Sequence, residues 1–282
     1  MLGERATILS AAVIDQYRNW CIGKGQSANT VRAYSTDLRM FLLAAGEDSI
    51  SLDEYEEMAQ GWLNLTRRTA KPKTTQRRLT SLRSFGKWSG LGEVLKDYIP
   101  PQPGRAIPHP IPEGFSGVER MIKVASKEEQ KALIALCGFA GLRIGEALAT
   151  RVDWINVSEM LITVRGKGDK TRTVPISERC WPNISSTYVL ALQTSVFYGR
   201  PDWPLIHYKD SGARSLIRVL GRKAGLQRDI SSHDLRMTFG TEIYNHTRDL
   251  RVAQELLGHA HSTTTEVYTG VTIDKMRNAI NF

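Results

Sequence analysis

Apolar residues in the first hundred positions recur at intervals of three and four. Val31, Tyr34, Leu38, Phe41 and Leu42 form one stripe, closed by Gly46. Leu79, Leu82, Phe85 and Trp88 form another, with Pro72 near its start and Gly90 at its end. Such spacing predicts amphipathic helices, with Pro favoured on entry and Gly on exit. A further helix is expected over about Ile8–Ile22, and Ser51-Leu-Asp-Glu54 has the spacing of a capping box.

The pattern then breaks. Between Pro100 and Pro112 six of thirteen residues are proline, a density that no helix or central strand survives. A stiff connector over 100–117 is expected, separating a helical domain (1–99) from a second domain (118–282). In the second domain Ser126-Lys-Glu-Glu129 is read as the cap of a helical run through Gly141. Met160–Arg165 and Thr171–Ile176 are rich in β-formers and flank Gly166-Lys-Gly-Asp-Lys170, which predicts a hairpin with a basic tip. Further helices are expected near Thr187–Tyr198, Ala213–Ala224, Leu235–Tyr244, Leu250–Leu257 and Ile273–Ile280. The fold class is mainly α with a small β-hairpin or sheet, the second domain being mixed α/β.

Composition narrows the partners. Lys and Arg number 38 against 29 Asp and Glu, so 38 − 29 gives +9, and the bases are segregated. Residues 47–57 hold six acids and no base, whereas residues 62–88 hold Arg67, Arg68, Lys71, Lys73, Arg77, Arg78, Arg83 and Lys87 and no acid. A one-signed stretch of that length points to phosphate-backbone contact, since a merely soluble surface mixes signs. In the basic helix the apolar stripe leaves Arg77, Arg78, Thr80, Ser81 and Ser84 on other faces. The longest run free of charge and strong polarity, Ala132–Leu142, has eleven residues, against the roughly twenty of a membrane span. The opening residues lack the basic and apolar regions of a secretory signal. Cys21, Cys137 and Cys180 are odd in number and far apart, which argues for isolated thiols in a reducing compartment, the cytoplasm, rather than a disulfide framework.

Several polar residues are poorly explained as scaffold. Arg143 directly follows the apolar run, although Glu146 or helix-terminal carbonyls would account for it alone. His233 and Arg236 are three apart at the opening of a helix and therefore share a face. His259 follows Gly258, and Tyr268 comes nine positions later. A metal reading of His233, His259 and His261 is disfavoured because Arg236 would repel the ion; a phosphate suits the pair better.

Arg143, Lys167, His233, Arg236, His259 and Tyr268, in that order, resemble the active site of the tyrosine site-specific recombinases, the phage integrase and Xer family. Gly-Leu-Arg-Ile-Gly-Glu-Ala-Leu (141–148) resembles the family's first arginine box, and Gly-Lys-Gly-Asp-Lys-Thr-Arg-Thr-Val-Pro-Ile (166–176) its lysine hairpin. His-Asp-Leu-Arg-Met-Thr-Phe-Gly-Thr (233–241), Gln-Glu-Leu-Leu-Gly-His (254–259) and Thr-Thr-Thr-Glu-Val-Tyr-Thr (263–269) resemble the second box. Thr30-Val-Arg-Ala-Tyr-Ser-Thr-Asp-Leu-Arg-Met-Phe-Leu42 is similar to the helical core-binding domain that precedes the catalytic domain. Met237 and Gly240 depart from the family's usual His and Ala, at positions that are not catalytic.

The resemblance implies an integrase of a phage or mobile element that cuts and rejoins DNA through a 3′-phosphotyrosine, without metal, ATP or other cofactor. It implies Tyr268 as nucleophile, Arg143 and Arg236 as phosphate clamp, and Lys167 as general acid, with Lys170 a local rival. His233 would handle a proton, His259 would bond the phosphate, and Glu146 would support them. Arg172 and Lys170 join the eight bases of residues 62–88 as candidate DNA contacts. The partner would be double-stranded DNA at short core-type attachment sites, bound by a homotetramer, with no membrane involved. Only 29 residues precede the Thr30 motif, so no separate arm-binding module is expected. The C-terminal tail would dock on a neighbouring subunit or pack on its own domain. A Xer recombinase resolving chromosome or plasmid dimers is the alternative job; a type IB topoisomerase and a non-catalytic DNA-binding regulator are more distant ones.

Overall fold

The computed structural model describes residues 7–104, 109–166, 171–258 and 271–282. The chain divides into two compact units, Met1–Ala106 and Ile107–Phe282.

The first unit contains α1 (Ala11–Gly23), α2 (Ala28–Ala45), α3 (Tyr55–Thr69) and α4 (Pro72–Ser89). Ser27 caps α2 by accepting from the Thr30 amide, and Gly46, at φ +74°, closes it in the left-handed region that only glycine enters freely. The apolar stripes meet in an aromatic centre. Tyr17 and Tyr55 both pack against Phe85, and their hydroxyls donate to Ser84 Oγ (2.7 Å) and the Leu82 carbonyl (3.0 Å). Each buried phenol thereby keeps a partner.

Two local expectations fail here. Ile8–Ser10 forms a short strand, β1, paired antiparallel with β2 (Ser49–Ser51), so the first helix begins only at Ala11. Leu9 and Ile50 are partners in that ladder and both are fully buried, which a helix through Ile8 would not achieve. Ser51 is consequently a strand residue, and α3 starts at Tyr55 behind Glu54 with no side-chain cap. Ser81 is also buried and Ser84 accepts from Tyr17, so α4 packs a wider face than its apolar stripe indicates.

The second unit opens with α5 (Gly114–Lys123) and α6 (Glu128–Gly138). Ile111 and Phe115 are already buried in its core, so the connector expected over 100–117 gives way to packed structure before its end. Ser126 does not cap α6; Gln130 reaches back to accept from the Ser126 amide at 3.0 Å. From Ala132 to Gly138 every residue of α6 is buried, making it the centre around which α5, α8 (Trp181–Tyr198) and α10 (Ser232–Thr247) pack. Beyond it come α7 (Ile144–Ala149), α9 (Asp210–Lys223), α11 (Leu250–Leu257) and α12 (Ile273–Ile280).

The expected hairpin is β4 (Leu161–Arg165) and β5 (Thr171–Pro175), extended by a third antiparallel strand, β3 (Ile155–Asn156). Val164 faces Arg172 across the ladder. The tip residues Lys167 and Lys170 lie outside the described residues, as do His259, His261 and Tyr268. No helix of the described residues is long and apolar enough to cross a membrane.

Candidate active site

Three chain segments bring arginines to one carboxylate. Gly141, at φ +64°, turns the chain out of the α6 region and presents Arg143 at the entrance of α7. Glu146, on the first turn of α7, reaches back: its Oε2 accepts from the Arg143 amide at 2.8 Å and its Oε1 from Arg143 Nη1 at 2.9 Å. From β5, Arg172 forks onto the same carboxylate with Nη1 and Nη2 both at 2.9 Å. From α10, Arg236 Nη1 lies 3.7 Å from Glu146 Oε2 and donates to the Gly141 carbonyl, while Nη2 donates to the Leu257 carbonyl.

Burial orders these charges. Glu146 and Arg236 are enclosed, whereas the Arg143 side chain is half-exposed. Burial by itself would raise the Glu146 pKa. The Arg172 fork, the Arg143 amide and the nearby guanidinium charges overcome it and hold the carboxyl down at about 2. Arg236 is brought down to about 10, first by burial and then by repulsion from Arg143 and Arg172, with Glu146 opposing. Three cations face one anion, so the cluster keeps a positive surplus. Arg143 spends one terminal nitrogen on Glu146; its other N–H groups have no partner among the described residues. A half-exposed guanidinium fixed in this way is a preorganised donor for an incoming oxyanion.

His233 sits in the first turn of α10 and is exposed. Its helix is set by Ser231, whose hydroxyl accepts from the Asp234 amide while Asp234 accepts from the Ser231 amide at 2.7 Å. Burial would raise the Asp234 pKa, but hydrogen bonds from Arg228 and Ser231 bring it below its ordinary value. Arg228 also donates to the Pro110 carbonyl at 3.2 Å, tying the α10 entrance to the segment before α5. At the far end, Gly258 closes α11 at φ +60°, immediately before His259. Of the six residues singled out by motif, the structure thus places Arg143, His233 and Arg236, and the first and third share Glu146. Among the described residues no group of three or more His, Cys, Asp and Glu is placed to hold a metal ion.

Charge alone reads Arg172 as a DNA contact; in the structure both of its terminal nitrogens donate to Glu146. Its place in the cluster has a sequence signal, since Arg172 is two residues from the buried Val174 and therefore shares its face of β5. In the first unit the basic stretch also divides. Arg77 and Arg78 pair with Asp37, a fully buried carboxylate whose pKa is raised by burial against the pull of Arg77. Arg83 donates to the carbonyls of Leu95, Lys96 and Tyr98 and holds the chain after α4. Arg67, Arg68, Lys71, Lys73 and Lys87 are exposed and unpaired among the described residues.

Comparison with known proteins extends the pattern to the whole chain. The phage integrase family matches residues 115–274, and the phage integrase N-terminal SAM-like domain matches residues 14–89. The chain is 30% identical to tyrosine recombinase XerD of Pseudomonas putida over 93% of its length and 94% of the relative's. It is 26% identical to tyrosine recombinase XerA of Pyrococcus horikoshii, covering 98% of this chain and 95% of that one. Among solved structures, the XerH site-specific recombinase bound to its difH substrate superposes with a TM-score of 0.64 over 96% of this chain and 84% of that one, at 20% identity, a likeness of fold.

Proposed function

The chain belongs to the phage integrase family, the tyrosine recombinases, and from that premise we propose that it recombines double-stranded DNA at short core-type sites as a homotetramer. The observation that carries this reading is the convergence of Arg143 and Arg236 on Glu146, with Arg143 half-free to take an anion.

In the proposed step Tyr268 Oη attacks the scissile phosphorus, forming a 3′-phosphotyrosine as the bond to the 5′-oxygen breaks. The phenol proton leaves toward His233, and Lys167 gives a proton to the departing 5′-oxygen; Lys170 is the neighbouring alternative. Charge accumulates on the two non-bridging oxygens, where Arg143 and Arg236 clamp it, with His259 as a further donor. A preorganised donor of this kind is worth on the order of 3 kcal/mol, roughly a hundredfold in rate. A 5′-hydroxyl from the other duplex reverses the step, so the phosphodiester energy is conserved and neither ATP nor metal enters. Four such cuts across two duplexes call for four subunits.

Integration and excision of a phage or mobile element is the proposed task. A second reading, Xer-type resolution of dimers, is favoured by the end-to-end likeness to the XerA and XerD proteins. Recombination between two unlike sites by this chain alone speaks for the first; activity confined to identical sites speaks for the second.

The test is trapping on a nicked duplex whose sequence is selected from random DNA by binding to the protein. Wild type forms a denaturation-resistant adduct, with or without chelator, and Tyr268→Phe forms none. An adduct that survives in Tyr268→Phe, or cleavage that requires magnesium, overturns the scheme.

A further inference from the structure

Glu146 is saturated. Oε1 accepts from Arg143 Nη1 and Arg172 Nη1, and Oε2 from the Arg143 amide and Arg172 Nη2, all between 2.8 and 2.9 Å. A carboxylate offers about four lone-pair sites, so no acceptor position remains. Arg236 stays 3.7 Å away and gives one hydrogen from each terminal nitrogen to a main-chain oxygen, which leaves one on each. Half of that saturation is the work of one residue, Arg172.

Arg172 is itself held tightly. Its strand pairs it with Val164, and its side chain is only 19% exposed. On the other side lies Gly258: a Cβ built there would stand 2.5 Å from Arg172 Nε and 2.9 Å from its Cζ. The guanidinium therefore fills the space between Glu146 and the end of α11, and the missing side chain at Gly258 is what lets it in.

We infer that Arg172 is a positioning residue, which by occupying two of the four acceptor sites of Glu146 keeps that carboxylate from drawing Arg143 and Arg236 away from the phosphate. This rests on the recombinase reading above. Without Arg172, a buried carboxylate is left half-satisfied, at a cost that the nearest donors act to relieve. Those donors are Arg143, with unspent N–H groups, and Arg236, whose Nη1 lies 3.7 Å from Oε2. Each hydrogen they give to Glu146 is one lost to the transferring phosphoryl group. Lysine cannot substitute, because a single ammonium does not fork onto two oxygens.

The experiment is single-turnover cleavage of the selected nicked duplex in two forms, one with the ordinary 5′-oxygen at the scissile bond and one with sulfur there. A thiolate leaves without a proton, so sulfur relieves a defect in the general acid and leaves a defect in the phosphate clamp untouched. R172A is expected to slow cleavage by roughly 10- to 100-fold on both substrates, the range seen when an outer partner of a functional group is lost. K167A, the reference for a missing acid, is relieved by sulfur. In an E146Q background, adding R172A costs less than about threefold, because the charge it manages is gone. Should R172A fail to fold, R172K, which keeps the charge and loses the fork, carries the same measurements. Relief of the Arg172 variant by sulfur, an unimpaired rate in it, or independent multiplication of the R172A and E146Q defects overturns the inference. Failure of wild type to form an adduct on either substrate would instead remove the recombinase reading beneath it.

Discussion

The guanidinium of Arg236 donates to the main-chain oxygen of Gly141, 95 positions earlier and two residues before Arg143. The second arginine motif thus grips the turn that presents the first. That turn depends on Gly141, whose φ of +64° suits glycine, and a Cβ there would lie 2.4 Å from Cδ1 of the buried Phe239. Gly141→Ala combines left-handed strain with overpacking and is expected to destabilise the second unit by about 2 to 4 kcal/mol. Urea denaturation measures it, and an unchanged midpoint would contradict the structural role assigned to this turn.

A second prediction concerns acid. Glu146 has an ordinary pKa of 4.5 and is held at about 2 in the folded chain. Below pH 4.5 the unfolded chain takes up this proton while the folded chain resists it. The stabilisation is therefore fully present above the unfolded value and is lost as pH falls toward 2. Its size is on the order of 3 kcal/mol. Unfolding midpoints measured from pH 7 downward should fall less steeply below pH 5 in Glu146→Gln than in wild type. The same variant should be less stable at pH 7, where Arg172 and Arg143 lose their charged partner.

Much of this was legible in the sequence, and the failures have physical causes. The long stripes predicted α2 and α4 because helical period and terminal Gly agreed. Ile8–Ser10 misled because three residues cannot display a period, and its strand exists only through a partner some forty residues away. Motif spacing singles out Arg143, Glu146 and Arg236; charge alone reads Arg172 as a DNA contact, whereas its alternation with Val174 puts it on the inward face of β5. Asp37 is hidden from the sequence for a related reason: an acid beside an apolar helix stripe reads as solvated until Arg77 and Arg78 arrive from another helix.

The basic stretch should separate into two classes in DNA binding. Lys71 and Lys73 are exposed and unpaired among the described residues, so replacing either by Ala should lower the salt slope of binding by about 0.9 per lost phosphate contact. Arg83 is spent on three carbonyls. Arg83→Ala should leave the slope unchanged and lower the thermal midpoint, since three carbonyls, two of them partly buried, lose a charged donor. Binding titrations at several salt concentrations distinguish them, and an equal slope change in all three variants would contradict the division.

The tail supplies the last test. Met276, Ala279 and Ile280 of α12 are buried against their own unit, where the helix meets α10, α11 and β5. The chain end is fastened as well. Asn281 Oδ1 accepts from the Glu178 amide at 2.9 Å, Arg179 Nε donates to the Phe282 carbonyl at 3.0 Å, and the Phe282 ring stacks on His246 at 4.0 Å. An end packed this way stabilises the single chain, so Ile280→Ala should cost about 2 to 4 kcal/mol through the cavity it leaves. Because the contact is internal, the unfolding midpoint should be the same at low and high protein concentration, in both wild type and variant. A midpoint that climbs with concentration in wild type, and ceases to climb in Ile280→Ala, would mean that α12 seats itself on a second copy instead.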